Sequence, residues 1–340
     1  MLSKNKERIE NIDILRGVAI IFIVLYHYTA HYSPDYLFRS DNWTSDITKH
    51  LWIGVDIFFI LSGYCIAMTV FQSQNYIEFL MRRFARIYPA YVFCGLITLI
   101  FYTFFDLPGR EVDWYTGFMN LIFANFVPGL SFKYIDGVYW MLIVELKFYI
   151  FFGIIYFFFR DLNKSIISWV VFSIFLNIVI LFDDNIGRTI TSISPHANWF
   201  LVGLMIFSLK EKKILTYFLT VLFVISNIVV NERFAGYELP FIFIVFLTWL
   251  VLKLKLNFRL SLISKIGLIS FSWYLLHNSI GIIMIREINK LGVENFSVII
   301  AIISTLLMAI FSFKFIELPM KKIVVAWYMK NIKKINPKYL

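Results

Sequence analysis

The chain has 340 residues, of which 60% are hydrophobic and 16% charged, with a mean hydropathy of +0.75 and a formal net charge of +10. Soluble domains average about 25% charged residues, so the composition excludes a soluble globular class and points to an integral membrane protein. The positive charge follows the membrane topology and argues against nucleic acid as a partner. The two cysteines, Cys65 and Cys94, lie inside apolar runs and are read as packing residues, with no disulfide framework.

Apolar runs of about 17–25 residues between charged or Pro/Gly/Asn-rich breaks mark membrane helices. In chain order they fall at 12–30, 50–72, 87–105, 138–159, 166–182, 196–209, 214–230, 239–252, 266–286 and 296–316. The runs at 196–209 and 239–252 are short and are expected to be extended, tilted or broken. A weaker apolar run at 117–128 sits in the longest loop and reads as re-entrant or interfacial. The predicted fold is an all-α polytopic bundle of about ten transmembrane helices, one membrane domain over 1–340 with a basic tail at 317–340.

A basic segment precedes the first apolar run, as in a signal peptide. Asp13 and Arg16 interrupt that run and no small-residue cleavage site follows, so it reads as the first helix of the mature protein. With the N-terminus in the cytoplasm, the inner segments hold Lys4, Lys6, Arg8, Arg82, Arg83, Arg86, Arg160, Lys164, Lys210, Lys212, Lys213, Lys253, Lys255, Arg259 and Lys265, and the lysines of the tail. The outer segments hold only Arg39, Lys49, Arg110, Lys133, Arg188, Arg233 and Lys290. The asymmetry satisfies the positive-inside rule and predicts that both termini are cytoplasmic.

Ionisable groups at membrane depth are costly and tend to face a cavity or a partner. Here they are Asp13, Arg16, His27, Asp56, Glu145, Lys147, His277, Lys314 and Glu317. In "RGVAIIFIVLYH" (16–27), Arg16 and His27 are eleven residues apart, about three turns, so they share one helix face ~16 Å apart. Counted from the nearest loop, His27 lies ~22 Å above the inner edge of a core of ~30 Å, and Glu145, ~10 Å below the outer edge, falls in the same layer. His277 counts to ~16 Å, nearer the midplane. Arg16 and Glu317 lie near the inner face, where Arg83 and Arg86 emerge. The result is a polar track from basic groups at the cytoplasmic mouth through the histidines to a carboxylate.

Plainer readings exist for each. Arg16 can snorkel and pair with Asp13, Arg82, Arg83 and Arg86 can serve topology alone, and His277 can be a hydrogen-bonded packing histidine. Lys147 and Lys314 are read as structural. No cluster suggests a metal site.

Taken together, these segments resemble the acyltransferase type 3 family of membrane O-acyltransferases. "NIDILRGVAIIFIVLYHY" (11–28) is similar to its first-helix signature, an arginine and a histidine separated by ten residues, matched by Arg16 and His27. "GVDIFFILSGY" (54–64), containing Asp56, resembles its second-helix motif, and "RRFARIYPAY" (82–91) its arginine pair before a proline. "VYWMLIVELKFY" (138–149) resembles its Trp–Leu–Glu–Phe–Tyr pattern, with Trp140 and Glu145 in place. "GLISFSWYLLH" (267–277) and "IELP" (316–319) resemble its late motifs.

The resemblance implies transfer of an acyl group, usually acetyl, from cytoplasmic acyl-coenzyme A, a co-substrate and not a resident cofactor, to a hydroxyl of an envelope or exported polysaccharide or glycolipid. Some members carry a fused extracytoplasmic esterase-like domain; this sequence resembles the stand-alone members, so the last transfer step is expected within the membrane domain. Arginines suit the coenzyme phosphates, which assigns donor binding to Arg16, Arg83 and Arg86. A sugar hydroxyl needs a base to attack a thioester, and histidine titrates in the right range. His27 is therefore expected as general base with Glu145 orienting it, a transient acyl-histidine being the alternative route. Asp13, Asp56, Trp140, His277 and Glu317 are expected to support the pathway or the structure. Two rival classes remain: a transporter or flippase using the same charges as a relay, for which no inverted repeat is visible, and a non-catalytic membrane sensor. The expected setting is the bacterial cytoplasmic membrane.

Overall fold

The computed structural model describes residues 2–31, 47–127, 129–182, 194–208, 238–253 and 261–331. Among these every regular element is helical. In chain order they are α1 (Leu2–Tyr26), running into a π-helical turn (His27–His31); a 3-10 turn (Leu51–Ile53) and α2 (Gly54–Gln72); α3 (Tyr76–Phe104); and α4 (Trp114–Leu121). After a 3-10 turn (Gly137–Tyr139) come α5 (Trp140–Phe159), α6 (Leu162–Phe182), α7 (Ser194–Ser208), α8 (Glu238–Lys253) and α9 (Ser261–Lys290). The last run is α10 (Glu294–Ser312), a π-helical turn (Phe313–Glu317) and α11 (Leu318–Asn331).

Among the described residues six helical segments are long and apolar enough to cross a membrane: Glu10–His31, Leu51–Gln72, Tyr76–Phe104, Gly137–Phe159, Leu262–Lys290 and Phe296–Asn331. The expected span at 214–230 lies outside the described residues. The run at 117–128 forms only the eight-residue α4 and a 3-10 turn (Ala124–Phe126), and eight residues reach ~12 Å, too little to span. Asp113 caps α4 by accepting the Thr116 N–H at 2.5 Å, which holds its carboxyl below the usual carboxylate range.

Several helices exceed their predicted limits, among them α1, which begins at Leu2, and α9, which runs from Ser261 to Lys290. α3 starts at Tyr76, not 87, so Arg82, Arg83 and Arg86 sit on the helix and not in a loop before it. Its start is a capping box: Asn75 Oδ1 accepts the Glu78 N–H at 2.8 Å, and Glu78 reaches back to the Gln74 N–H at 3.3 Å. The last helix continues past 316 through its π-turn to Asn331, so the first part of the basic tail is helical.

The chain forms two compact units. The first comprises Met1–Val55, Phe84–Met141 and Asn257–Trp327. Its most extensive pairings are α1 with α9 and α9 with α10. α1 and α9 meet backbone to backbone: a Cβ on Gly17 would strike the Ile263 carbonyl, and one on Gly267 the Asp13 carbonyl. Farther along, Gly281 leaves room for the Tyr28 ring, whose hydroxyl donates to the His277 carbonyl at 2.6 Å. Asp13 with Gly267 at one end and Tyr28 with Gly281 at the other make the two helices parallel. In α9, 83% of the most apolar stretch is buried, against 28% in Phe296–Asn331, so α9 is the core helix and the latter presents its apolar side chains outward. Cys94 is buried here and its thiol lies 3.5 Å from Ser312 Oγ.

The second unit comprises Asp56–Arg83, Leu142–Leu256 and Tyr328–Leu340. α2 and α7 approach through Gly63, against the Phe200 backbone, and Gly203, against the Ile60 carbonyl. Aromatic rings fill the rest: Phe148 stacks on Phe200 at 4.0 Å between centroids and meets Trp169 edge-on at 5.1 Å. Cys65 is buried in this unit.

Small residues that let helix backbones touch are a main source of packing in membranes. Gly267→Ala should therefore lower the thermal unfolding midpoint in detergent micelles by the equivalent of ~1–3 kcal/mol of overpacking. Gly137→Ala, whose added Cβ would meet nothing closer than Arg110 Nη1 at 3.4 Å, should leave it nearly unchanged.

Candidate functional site

The first unit carries two clusters on the α1–α9 pair, one at each end of the Arg16–His27 face. At the Arg16 end, the guanidinium pairs with Asp13 at 3.3 Å. Arg86 acts electrostatically on both Asp13 and Glu317, and Arg16 also acts on Glu317. Glu317 is 7% exposed and accepts the Ser272 hydroxyl at 2.7 Å. Ser272 in turn accepts from Ser312 at 3.2 Å, which links back to Cys94. Two arginines and two carboxylates thus meet where the π-turn of the last helix delivers Glu317.

At the other end, the π-turn begins at His27 itself. Such turns widen the helix and recur at functional sites. His27 is 8% exposed and His277 is fully buried. Their rings lie 5.0 Å apart between centroids, with His277 Nε2 3.1 Å from His27 Nδ1. His27 Nδ1 is also 2.9 Å from the Ile23 carbonyl, and His277 Nδ1 is 2.8 Å from the Tyr274 carbonyl. A carbonyl only accepts, so each Nδ1 carries a hydrogen. His277 Nε2 is then the acceptor for His27 Nδ1–H, and in the neutral pair His27 Nε2 carries the lone pair. The π-turn closes with the Tyr26 hydroxyl 2.9 Å from His31 Nδ1.

His277 is held by what flanks it. Asp136, 1% exposed, accepts Asn278 Nδ2 at 2.5 Å, the Ser279 N–H at 2.8 Å and the Val138 N–H at 3.1 Å. The 3-10 turn before α5 is clamped to α9 by Tyr274, which donates to the Val138 carbonyl at 2.8 Å, and by Tyr139, which donates to the Leu275 carbonyl at 3.0 Å. Trp140, half-buried, opens α5 directly after this turn.

The second unit holds a separate cluster. The Ser62 and Tyr149 hydroxyls both donate to the Glu145 carboxylate. Glu145 and Tyr149 share a face of α5 at i,i+4, and Ser62 projects from α2. Arg83, 8% exposed, lies over the Tyr149 ring at 5.4 Å. Asp56 and Lys147 are buried in this unit. Arg82 is occupied by Glu78 at 2.7 Å, a pairing that fits a structural role.

The structure therefore brings His27 to His277, Arg16 to Asp13, Arg86 and Glu317, and Glu145 to Ser62, Tyr149 and Arg83. The predicted partnership of His27 with Glu145 distributes over two units. Asp136, Asn278 and Tyr28 are additions that sequence reasoning passed over. Asp136 precedes its helix and was counted with the loop, although an acidic residue directly before "GVYW" is a capping signal. Among the described residues no three His, Cys, Asp or Glu side chains gather as a metal site.

An acyltransferase-domain family model matches residues 9–315. The O-acetyltransferase OatA of Staphylococcus aureus strain NCTC 8325 is 27% identical over 92% of this chain and 57% of its own length. The peptidoglycan O-acetyltransferase OatA of Listeria monocytogenes is 32% identical over 31% of this chain and 15% of its own, and the O-acetyl transferase of Shigella phage Sf6 is 35% identical over 24% and 22%. The chain spans little more than half the length of the Staphylococcus relative. No solved structure matches it. With a family match over nearly its whole length and, among the described residues, six helices long and apolar enough to cross a membrane, this integral membrane protein belongs to the acyltransferase type 3 family.

Proposed function

We propose that the chain is a membrane O-acyltransferase that moves an acyl group, acetyl by preference, from cytoplasmic acyl-coenzyme A to a hydroxyl of a cell-envelope or exported polysaccharide or glycolipid. Family membership and relatives named O-acetyltransferases support the reaction class. The observation that carries the mechanism is the His27 ring: Nδ1–H is committed to the Ile23 carbonyl and His277, which makes Nε2 the basic nitrogen.

In this reading His27 Nε2 takes the proton of the acceptor hydroxyl as its oxygen attacks the thioester carbonyl carbon. The C–O bond forms, the C–S bond breaks, and the proton passes from His27 to the departing coenzyme A sulfur. Arg16, ~16 Å back along α1, steadies the donor with Arg86, and Arg83 is the third phosphate ligand. Glu145, bound by Ser62 and Tyr149, is the second proposed catalytic group.

The ten-span topology with both termini cytoplasmic, in the bacterial inner membrane, belongs to the same proposal. The parallel α1–α9 pairing supports it, because parallel spans require an odd number of crossings between them and the ten-span order supplies seven.

Four outcomes test this reading. Purified protein should transfer label from radiolabelled acetyl-coenzyme A to extracted glycan. His27→Ala should keep donor binding and lose at least ~10²–10⁴-fold in transfer, whereas Arg16→Ala should raise the apparent donor constant; full turnover in His27→Ala excludes the base assignment. Replacing Arg83 and Arg86 together with alanine should weaken donor binding at least ~tenfold in protein that still inserts, and unchanged binding returns them to topology alone. Reporters at Leu340 and near Gly129 should label opposite sides of the membrane; labelling on one side breaks the ten-span register.

A further inference from the structure

We propose that His27 and His277 act as one proton-sharing dyad with Asp136 as its buried counter-charge, so that His277 is the positioning residue of the general base. The inference rests on the acyltransferase reading for what the dyad acts on. It goes beyond that reading in naming the groups that make His27 a base and the place where its charge is held.

The geometry allows one arrangement of protons. The Tyr274 carbonyl fixes hydrogen on His277 Nδ1, which leaves Nε2 as a lone pair aimed at His27 Nδ1–H, 3.1 Å between nitrogens. A proton arriving on His27 Nε2 makes an imidazolium whose Nδ1–H already points at that lone pair. The charge can then be shared: Nδ1–H of His27 moves toward His277 Nε2, no bond other than N–H changes, and the proton returns by the same route to the coenzyme A sulfur. His277 cannot pass it farther, because its other nitrogen faces a carbonyl. The pair therefore holds one proton and resists a second by repulsion of like charges.

A cation formed in a dry site needs a fixed negative group. Asp136 supplies it: its carboxylate is anchored by Asn278 and Ser279, the two residues that follow His277, and it acts electrostatically on His277. Among the described residues the other charged or titratable groups that act on His27 are His31 on the π-turn and Arg110 from the segment between α3 and α4. The rings of Tyr26, Tyr28 and Tyr274 complete the surroundings. Two of these neighbours are basic, and among the described residues Asp136 is the acidic group that acts on the pair. The short turn of the π-helix and the Tyr28 hydroxyl on the His277 carbonyl hold the two rings at this spacing from both helices.

The test uses the full chain in detergent micelles with nitrogen-15 in its histidines, five in all and assignable by single substitutions. With the pair neutral, Nδ1 of both rings should give protonated signals and Nε2 of both unprotonated ones, and acid should move the two rings in one shared step. Finding hydrogen on His27 Nε2 in the neutral state, or two unrelated steps, overturns the dyad, and this measurement needs no variant to fold. In turnover, His277→Leu should lower kcat roughly 10–100-fold, the effect of one hydrogen bond to a charged group, with the apparent donor constant unchanged. His277→Gln, whose side-chain oxygen can accept the same N–H, should recover most of that loss. Equal kcat in wild type and His277→Leu, or equal loss in the Leu and Gln variants, refutes the positioning role. A wild type that shows the shared titration but acylates no acceptor refutes the O-acyltransferase reading and leaves the dyad standing.

Discussion

The imidazole end of the first unit depends on how closely α1 can approach α9. Two glycines remove the side chains that would keep the backbones apart, Gly17 beside Ile263 and Gly267 beside Asp13. A third, Gly281, admits the Tyr28 ring. Water offers no compensation at membrane depth, so a polar group there must find its partner within the protein. Close approach puts those partners within reach: the Tyr28 hydroxyl reaches the carbonyl of His277, and one imidazole reaches the other. A wider separation by one methyl group would break the bonds that cross between the helices, the imidazole–imidazole contact and the Tyr28 hydroxyl to the His277 carbonyl, and leave His277 Nε2 without that donor. The packing of small residues and the chemistry of the histidines are therefore one constraint seen at two positions of the same helix pair.

The same rule organises the remaining charges. Asp13 and Arg16 are neighbours at i,i+3, Glu317 is met by Ser272, and Glu145 is met by two hydroxyls. Asp136 is the most fully occupied of them, accepting from three donors. Full occupation fixes its position, which is what a stationary counter-charge requires. A carboxylate left to swing would lose that role to whichever arginine came nearest.

Much of this was legible in the sequence, and the failures have identifiable causes. Periodicity placed Arg16 and His27 on one face of one helix, and each end of that face lies in a cluster of polar side chains in the folded chain. The depth count put His277 below His27 because it began the helix at 266. α9 begins at Ser261, so the run's edge was no measure of depth, and the two rings lie 5.0 Å apart between centroids. The missing residues, "SLISK", are too polar to belong to an apolar run but have no helix breaker, so hydropathy ended where the helix did not. The same error shortened α3, where "YIEFLMRRFAR" is helical by its capping box and polar by composition. The pairing of His27 with His277 spans 250 positions, and nothing local in either segment encodes it. Glu145 was matched to His27 by depth alone, and the contacts of Glu145 with Ser62 and Tyr149 are a pairing that depth could not show.

The Arg16 cluster then gains a meaning that composition could not supply. Its arginines already face Asp13 and Glu317, so on the proposed reading a coenzyme phosphate enters a site whose positive charge is partly neutralised. Phosphate carries more charge than a carboxylate and binds a guanidinium through two oxygens, so it can displace Asp13 from Arg16 without leaving either carboxylate far from a cation. The carboxylates keep the arginines oriented in the empty protein and reduce the repulsion between them. An arginine pair without such neighbours would bind donor more tightly, but it would bind any phosphate in the cytoplasm as well. Selectivity would then have to come from the far end of the arm, where the thioester meets His27, and the ~16 Å between Arg16 and His27 is the length over which both ends of one extended donor can be read at once.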